Sequence, residues 1–227
     1  MEMPILSIKK LSVEINKREI LNNLSLTITN KSIICIIAPN GSGKTTLFKT
    51  INNQIASKSG EIILLSFNKD KREKYNKNLF FLENSDSLFQ NLTAYENISF
   101  ISKLWENNCN IEQIIDLVGI RSYKDKLVKN MSLGMKQKVL IAVAIASGAE
   151  FLIFDEPLNA LDIENIDLVT NVFLTLKKQG RTILLSSHNI FESSKICDEI
   201  FFLVDGSLKE APLEYTQIKQ FYFENFS

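Results

Sequence analysis

"IIAPNGSGKTTL", residues 36–47, decides the fold of this chain. An apolar run ends in a turn with glycines at 41 and 43, and Lys44, Thr45 and Thr46 open a stretch with helical spacing. The pattern G-x-x-x-x-G-K-S/T lets consecutive backbone N–H groups turn inward as a cradle for phosphate oxygens, at the positive end of the following helix. Lys44 is then placed to reach the β- and γ-phosphates of a nucleotide, and the Thr45 hydroxyl to ligate Mg²⁺. Thr46 adds a second hydroxyl and N–H. The first position departs from the pattern, with Ala38 where glycine is usual. The amides that face phosphate come several residues later, so a methyl at 38 should bear on the strand exit more than on the cradle.

Outward from this loop, "IICII" (33–37), "FLIF" (151–154) and "TILLS" (182–186) are continuous apolar runs, as expected of strands covered on both faces in a parallel sheet. Helical spacing appears between them at 46–56, 136–147 and 163–178. Residues 5–28 instead alternate apolar and polar, the period of half-exposed antiparallel strands. Residues 85–131 contain two amphipathic helical patterns with no strand between them and read as a helical insertion. The mixed-sign stretch "NKDKREKYNKN" (68–78) reads as a solvated loop, and "IKQFYFENFS" at the end as a short surface helix. The fold class is therefore α/β: a P-loop NTPase core with a mainly parallel sheet, an N-terminal antiparallel β portion and an inserted α-helical subdomain. All of it is expected within one domain spanning residues 1–227.

Composition narrows the function. With 26 Lys+Arg against 26 Asp+Glu, no net charge draws the chain to nucleic acid or to an anionic membrane face. The start, "MEMPILSIKK", lacks the features of a secretory leader, which leads us to expect a cytoplasmic location. Cys35, Cys109 and Cys197 are too scattered for a disulfide framework or a zinc site, and Cys35 and Cys197 are expected to be reduced and buried. The longest apolar stretch, residues 139–154, is interrupted by Gly148 and Glu150 and is shorter than the roughly 20 residues that span a bilayer.

Further residues narrow the chemistry. Asp155 and Glu156 follow a buried strand, at the carboxyl end where ligands of open α/β sheets collect. Asp155 suits Mg²⁺, and Glu156 suits polarising an attacking water. The two neighbours serve one site only if the strand ends at Asp155, and Pro157 favours that ending. His188, the sole histidine, follows a third apolar run and is placed to hydrogen-bond a γ-phosphate. Ser132 and Gly134 begin another helical stretch; they read either as a second anion site or as a plain N-cap.

Taken together and in order, "APNGSGKTT", "MSLGMKQK", "FLIFDEP", "LNALD" and "SSH" resemble the nucleotide-binding domain of ATP-binding cassette (ABC) transporters over essentially the whole chain. The resemblance implies a Walker A site of Asn40, Gly41, Ser42, Gly43, Lys44, Thr45 and Thr46, Walker B acids Asp155 and Glu156, a D-loop containing Asp162, and a switch histidine, His188. It makes Lys44, Glu156 and His188 the catalytic residues, and ATP and Mg²⁺ the ligands. "MSLGM" (131–135) matches the signature usually written LSGGQ at Ser132 and Gly134 and departs at Leu133 and Met135. Similar "SLGMKQ" forms occur in cassettes of exporter type. In the family two domains sandwich ATP head to tail, which implies a second ATP-binding subunit, identical or related, and a separate transmembrane permease that holds the chain at the cytoplasmic face.

Two departures matter. The family's adenine-stacking aromatic aligns with Ile15, which covers a base by dispersion without a ring-ring contribution. The glutamine that contacts Mg²⁺ and senses the permease aligns with Asn84, one methylene shorter. Residues 85–105 would receive a helix of the permease, with Phe89, Leu92, Tyr95 and Trp105 as candidate anchors. A soluble ATP-gated clamp acting on ribosomes, DNA or cluster assembly is the alternative; tandem cassettes, coiled-coil inserts or basic extensions would favour it, and this chain has none. A small-molecule phosphotransferase is a weaker rival, because it leaves "MSLGMKQK" without a role.

Overall fold

In the computed structural model residues 3–226 are described; Met1 and Glu2, part of the start read for a secretory leader, and Ser227 of the terminal "NFS" lie outside the described residues. The expected long alternating segment folds as β1 (Leu6–Ile15) and β2 (Arg18–Ile28), an antiparallel pair. The phosphate-loop strand β3 (Ile33–Ile37) runs into α1 (Lys44–Ile51). Next come β4 (Ser59–Leu64), β5 (Phe67–Asn68), α2 (Arg72–Lys77) and β6 (Leu79–Leu82). The insertion contains α3 (Ala94–Leu104) and α4 (Ile111–Leu117). After it follow α5 (Leu133–Ser147), β7 (Phe151–Phe154), α6 (Ile163–Lys178) and β8 (Thr182–Ser187). The chain closes with α7 (Ile190–Ile196), β9 (Glu199–Val204), β10 (Ser207–Ala211) and α8 (Tyr215–Phe226).

The strands form a four-stranded sheet, β2-β1-β4-β5, and a six-stranded sheet, β10-β9-β3-β8-β7-β6. Within the larger sheet β9, β3, β8, β7 and β6 are parallel, and only the β9–β10 hairpin is antiparallel. The larger sheet separates two apolar cores, which explains why its strands carry no polar alternation. Ile33, Cys35 and Ile37 face the helical core, whereas Ile34, Ile36 and Ala38 face the core shared with the smaller sheet. Both sides must be apolar, as the continuous runs require.

Three expectations change. α1 begins at Lys44, two residues before the helical spacing becomes apparent, and ends at Ile51, short of position 56. "NKDKREKYNKN" is not simply a solvated loop: it holds α2, and Tyr75 within it is fully buried, its hydroxyl donating to the Ile51 carbonyl at 2.7 Å. The surrounding charges hide a single apolar anchor from any average over the stretch. The terminal helix α8 is likewise more than a surface feature, because Phe221 stacks on Phe202 of β9 with ring centroids 5.2 Å apart and Phe226 packs on the same ring at 5.6 Å.

Tyr75 gives a clean stability test. Tyr75→Phe keeps the ring but strands the Ile51 carbonyl and is expected to cost about 1–2 kcal/mol. Tyr75→Ala leaves a cavity as well and should cost about 3–5 kcal/mol. Urea unfolding of the two variants checks both values.

Candidate functional site

The strand-to-helix turn after β3 supplies the cradle. Gly41 and Gly43 have φ of 79° and 107°, in the left-handed region that favours glycine, and a Cβ at 43 would come within 2.9 Å of the Ile20 side chain. Ala38 is not among the residues with positive φ, so this position does not need glycine. Its side chain is buried in the core below the loop. Its carbonyl accepts from Lys44 Nζ at 2.7 Å, and the Pro39 carbonyl accepts from the same atom at 3.0 Å. Burial pulls the Lys44 ammonium below the usual lysine value, an effect opposed by the charges of Glu156 and Asp155.

Both acids follow β7, which β8 separates from the phosphate-loop strand β3. β7 ends at Phe154, and Glu156 adopts a left-handed backbone with φ of 51°. This turn lets two consecutive acids serve one site. Thr45 Oγ1 donates to Asp155 Oδ2 at 2.6 Å. Lys44 Nζ lies 3.9 Å from Glu156 Oε1, and His188 Nδ1 lies 3.4 Å from Glu156 Oε2, the oxygen that also accepts from Asn159 Nδ2. Asn40, Gly41, Gly43, Lys44, Thr45, Thr46, Asn84, Asp155 and Glu156 together line a cavity of about 470 Å³. Thr45 and Asp155 offer a hydroxyl and one carboxylate, hard oxygen donors that suit Mg²⁺ when phosphate oxygens and water complete its shell. No cluster of three or more His, Cys, Asp or Glu able to hold an ion by itself occurs among the described residues.

The other expected residues are placed differently. Ser42 lines an adjoining cleft instead, and its buried hydroxyl has no protein partner. Ile15 is exposed at the end of β1, paired with Arg18, and does not line the cavity; Ile20 does so from the same hairpin. Asn84 reaches the cavity, but its Oδ1 accepts from the Asp86 N–H at 3.0 Å as the cap of a short 3₁₀ turn. Ser132 is the N-cap of α5, its hydroxyl accepting from the Met135 N–H at 3.3 Å; it is exposed and lies outside its own chain's cavity. A Cβ on Gly134 would meet the Ala160 carbonyl at 2.9 Å, so glycine lets the start of α5 approach the segment leading to Asp162. Asp162 caps α6, accepting from the Asn165 N–H at 2.9 Å.

Several cavity residues escaped the sequence reading: Glu83, Ser85, Gln137 and Asn159. Gln137 is buried, with its Nε2 unpaired. It stands four residues beyond the first residue of α5, where helical spacing marks only apolar positions as inward.

A groove of about 340 Å³ opens beside the insertion, lined by Phe80, Phe89, Phe100, Leu104 and Trp105 among others. Phe89 and Trp105 are anchors expected from sequence; Leu92 and Tyr95 do not line it, and Tyr95 instead carries the Lys124 ammonium 5.6 Å above its ring. Phe100 and Leu104 were not anticipated, and no helix among the described residues is long and apolar enough to cross a membrane.

The family described as "ABC transporter" matches residues 21–159. The chain is 36% identical over 198 residues to the uncharacterized ABC transporter ATP-binding protein YcbN of Bacillus subtilis, covering 85% of this chain and 64% of that protein. It is 31% identical over 205 residues to the lantibiotic transport ATP-binding protein SrtF of Streptococcus pyogenes, covering 90% and 89% of the two chains. A dimeric ATP-binding cassette in a post-hydrolysis state with ADP and Pi superposes with a TM-score of 0.83 at 21% identity, over 92% of this chain and 99% of that one. The cradle, the paired acids and these likenesses converge: the chain belongs to the ABC transporter family, as an ATP-binding and ATP-hydrolysing subunit.

Proposed function

We propose that this subunit powers export through a separate permease at the cytoplasmic face of the membrane, closing on Mg-ATP together with a second identical or related ATP-binding subunit. The observation that carries the dimer is the geometry of α5: Ser132 is exposed at a helix start and lies outside its own cavity, as suits a group that caps a partner's nucleotide. Ile163, 81% exposed beside the α6 cap Asp162, leaves apolar surface for a second copy to cover, whereas Leu133 lines the edge of its own cavity. The names of SrtF and of the lipopolysaccharide export protein LptB support transport, and for LptB export, as the type of work.

In this reading the loop amides and Lys44 hold the β- and γ-phosphates, and Thr45 and Asp155, with Asn84 beside them in the cavity, would hold the metal. When bound there, Mg²⁺ would supply neutralisation of the charge that develops on the phosphate oxygens. Glu156 orients the attacking water and takes up its proton, while His188, whose Nδ1 lies 3.4 Å from Glu156 Oε2, donates to the γ-phosphate. Ser132 and the α5 amides of the partner complete the charge stabilisation. Closure is favoured because the dimer binds ATP more tightly than the separated subunits do, and that difference in affinity biases the permease.

The groove beside the insertion is the surface for the permease. Phe89→Asp together with Leu104→Asp should reduce co-purification of a multi-span membrane protein about tenfold or more, with ATPase activity of the isolated subunit within about twofold of wild type. Detergent pull-down and mass spectrometry check this. Recovery of ribosomal or nucleic-acid partners in place of a membrane protein would favour the soluble clamp.

A further inference from the structure

We infer that Ser186, at the carboxyl end of β8, is a positioning residue for both acids of the site, an inference that rests on the ATPase reading above. β7 and β8 pair as far as Phe154 with Leu185, so Glu156 lies beyond the ladder and its N–H has no strand partner. Ser186 Oγ accepts from that N–H at 2.9 Å. The same hydroxyl donates its proton to Asp155 Oδ1 at 2.5 Å, leaving Oδ2 turned toward Thr45. One fully buried side chain thus fixes the left-handed turn at Glu156 and the rotation of the Asp155 carboxylate. The adjacent serine does neither: Ser187 Oγ donates to the Asn189 carbonyl and accepts from the Asn189 N–H, within its own loop.

Because the hydroxyl both accepts and donates, its loss has two separable results. The Glu156 N–H is left buried without an acceptor, and the turn relaxes toward ordinary backbone, carrying the carboxylate away from the water it must orient. Asp155 keeps only the Thr45 hydroxyl and becomes a less defined oxygen donor for Mg²⁺. The phosphate cradle shares no hydrogen bond with Ser186. Metal-free nucleotide binding should therefore be spared while turnover and the Mg²⁺ requirement change.

The test compares Ser186→Ala, Ser186→Thr and Ser186→Val in the full-length protein. Thr keeps the hydroxyl, and Val has nearly the same shape without it. We expect Ser186→Ala and Ser186→Val to lower kcat about tenfold and to raise the half-saturating Mg²⁺ concentration about fivefold. Binding of a fluorescent ATP analogue in EDTA should stay within about twofold, and Ser186→Thr should retain kcat within about threefold. Wild-type kcat and Mg²⁺ dependence in Ser186→Ala, or equal impairment of the Thr and Val variants, would overturn the inference. If the Ala variant does not fold, the Thr and Val pair decides the question. Glu156→Gln serves as the control: undiminished hydrolysis in that variant defeats the reading of the site itself, whereas its loss alongside an active Ser186→Ala defeats only the role of Ser186.

Discussion

Glu156→Gln should lower ATP turnover about 10²- to 10⁴-fold, the range for removing a general base, while Mg-ATP still binds. The substitution keeps the side chain's length and its ability to accept from Asn159 Nδ2, so the left-handed turn held by Ser186 need not move. It removes the charge that faces Lys44 at 3.9 Å and His188 at 3.4 Å. Without a group to take the proton of the attacking water, the closed state forms and has no path onward. Light scattering of the variant with Mg-ATP should therefore report a stable dimer, which wild type forms only transiently. A monomer with undiminished turnover would defeat both the role of Glu156 and the dimeric arrangement.

The site was legible where function constrains consecutive residues and obscure where contacts come from distant ones. Gly41, Gly43, Lys44 and Thr45 are read directly, because a cradle built from adjacent amides must be written as adjacent residues. The strands β3, β7 and β8 are equally plain: the larger sheet lies between two cores, and burial on both faces leaves an uninterrupted apolar run. Ser186 is different. It stands beside the histidine that drew attention, but its importance depends on β8 lying next to β7, a pairing between residues about 30 positions apart. Asn84 was assigned by alignment with the family's glutamine; it reaches the cavity, and part of its hydrogen bonding is spent locally on the Asp86 N–H. β4, β6, β9 and β10 also went unread, although β6 and β9 carry apolar runs no shorter than that of β7. The missed helix α2 has one buried side chain, Tyr75, among charges, and hydropathy averaged over a turn cannot register it.

Lys44→Ala should weaken nucleotide binding about 10- to 100-fold and bring turnover close to background, since charge-assisted hydrogen bonds to phosphate are among the strongest single contacts. The structure makes the expected pattern specific. Lys44 is 6% exposed, and its ammonium is already desolvated and held by the Ala38 and Pro39 carbonyls before any phosphate is considered. Much of the cost of burying and orienting the charge is therefore met by the fold, and the phosphate gains a donor that needs little reorganisation. Removing it also leaves Asp155 and Glu156 facing a highly anionic ligand with one less cation between them. Folding itself should change far less, because two carbonyl contacts are lost together with the penalty of a buried charge. Thermal unfolding separates the two effects: without nucleotide the variant should melt close to wild type, while the rise in Tm that Mg-ATP gives the wild-type protein should largely disappear. A variant whose Tm rises with Mg-ATP as much as that of wild type would mean that the triphosphate is held elsewhere than over this loop.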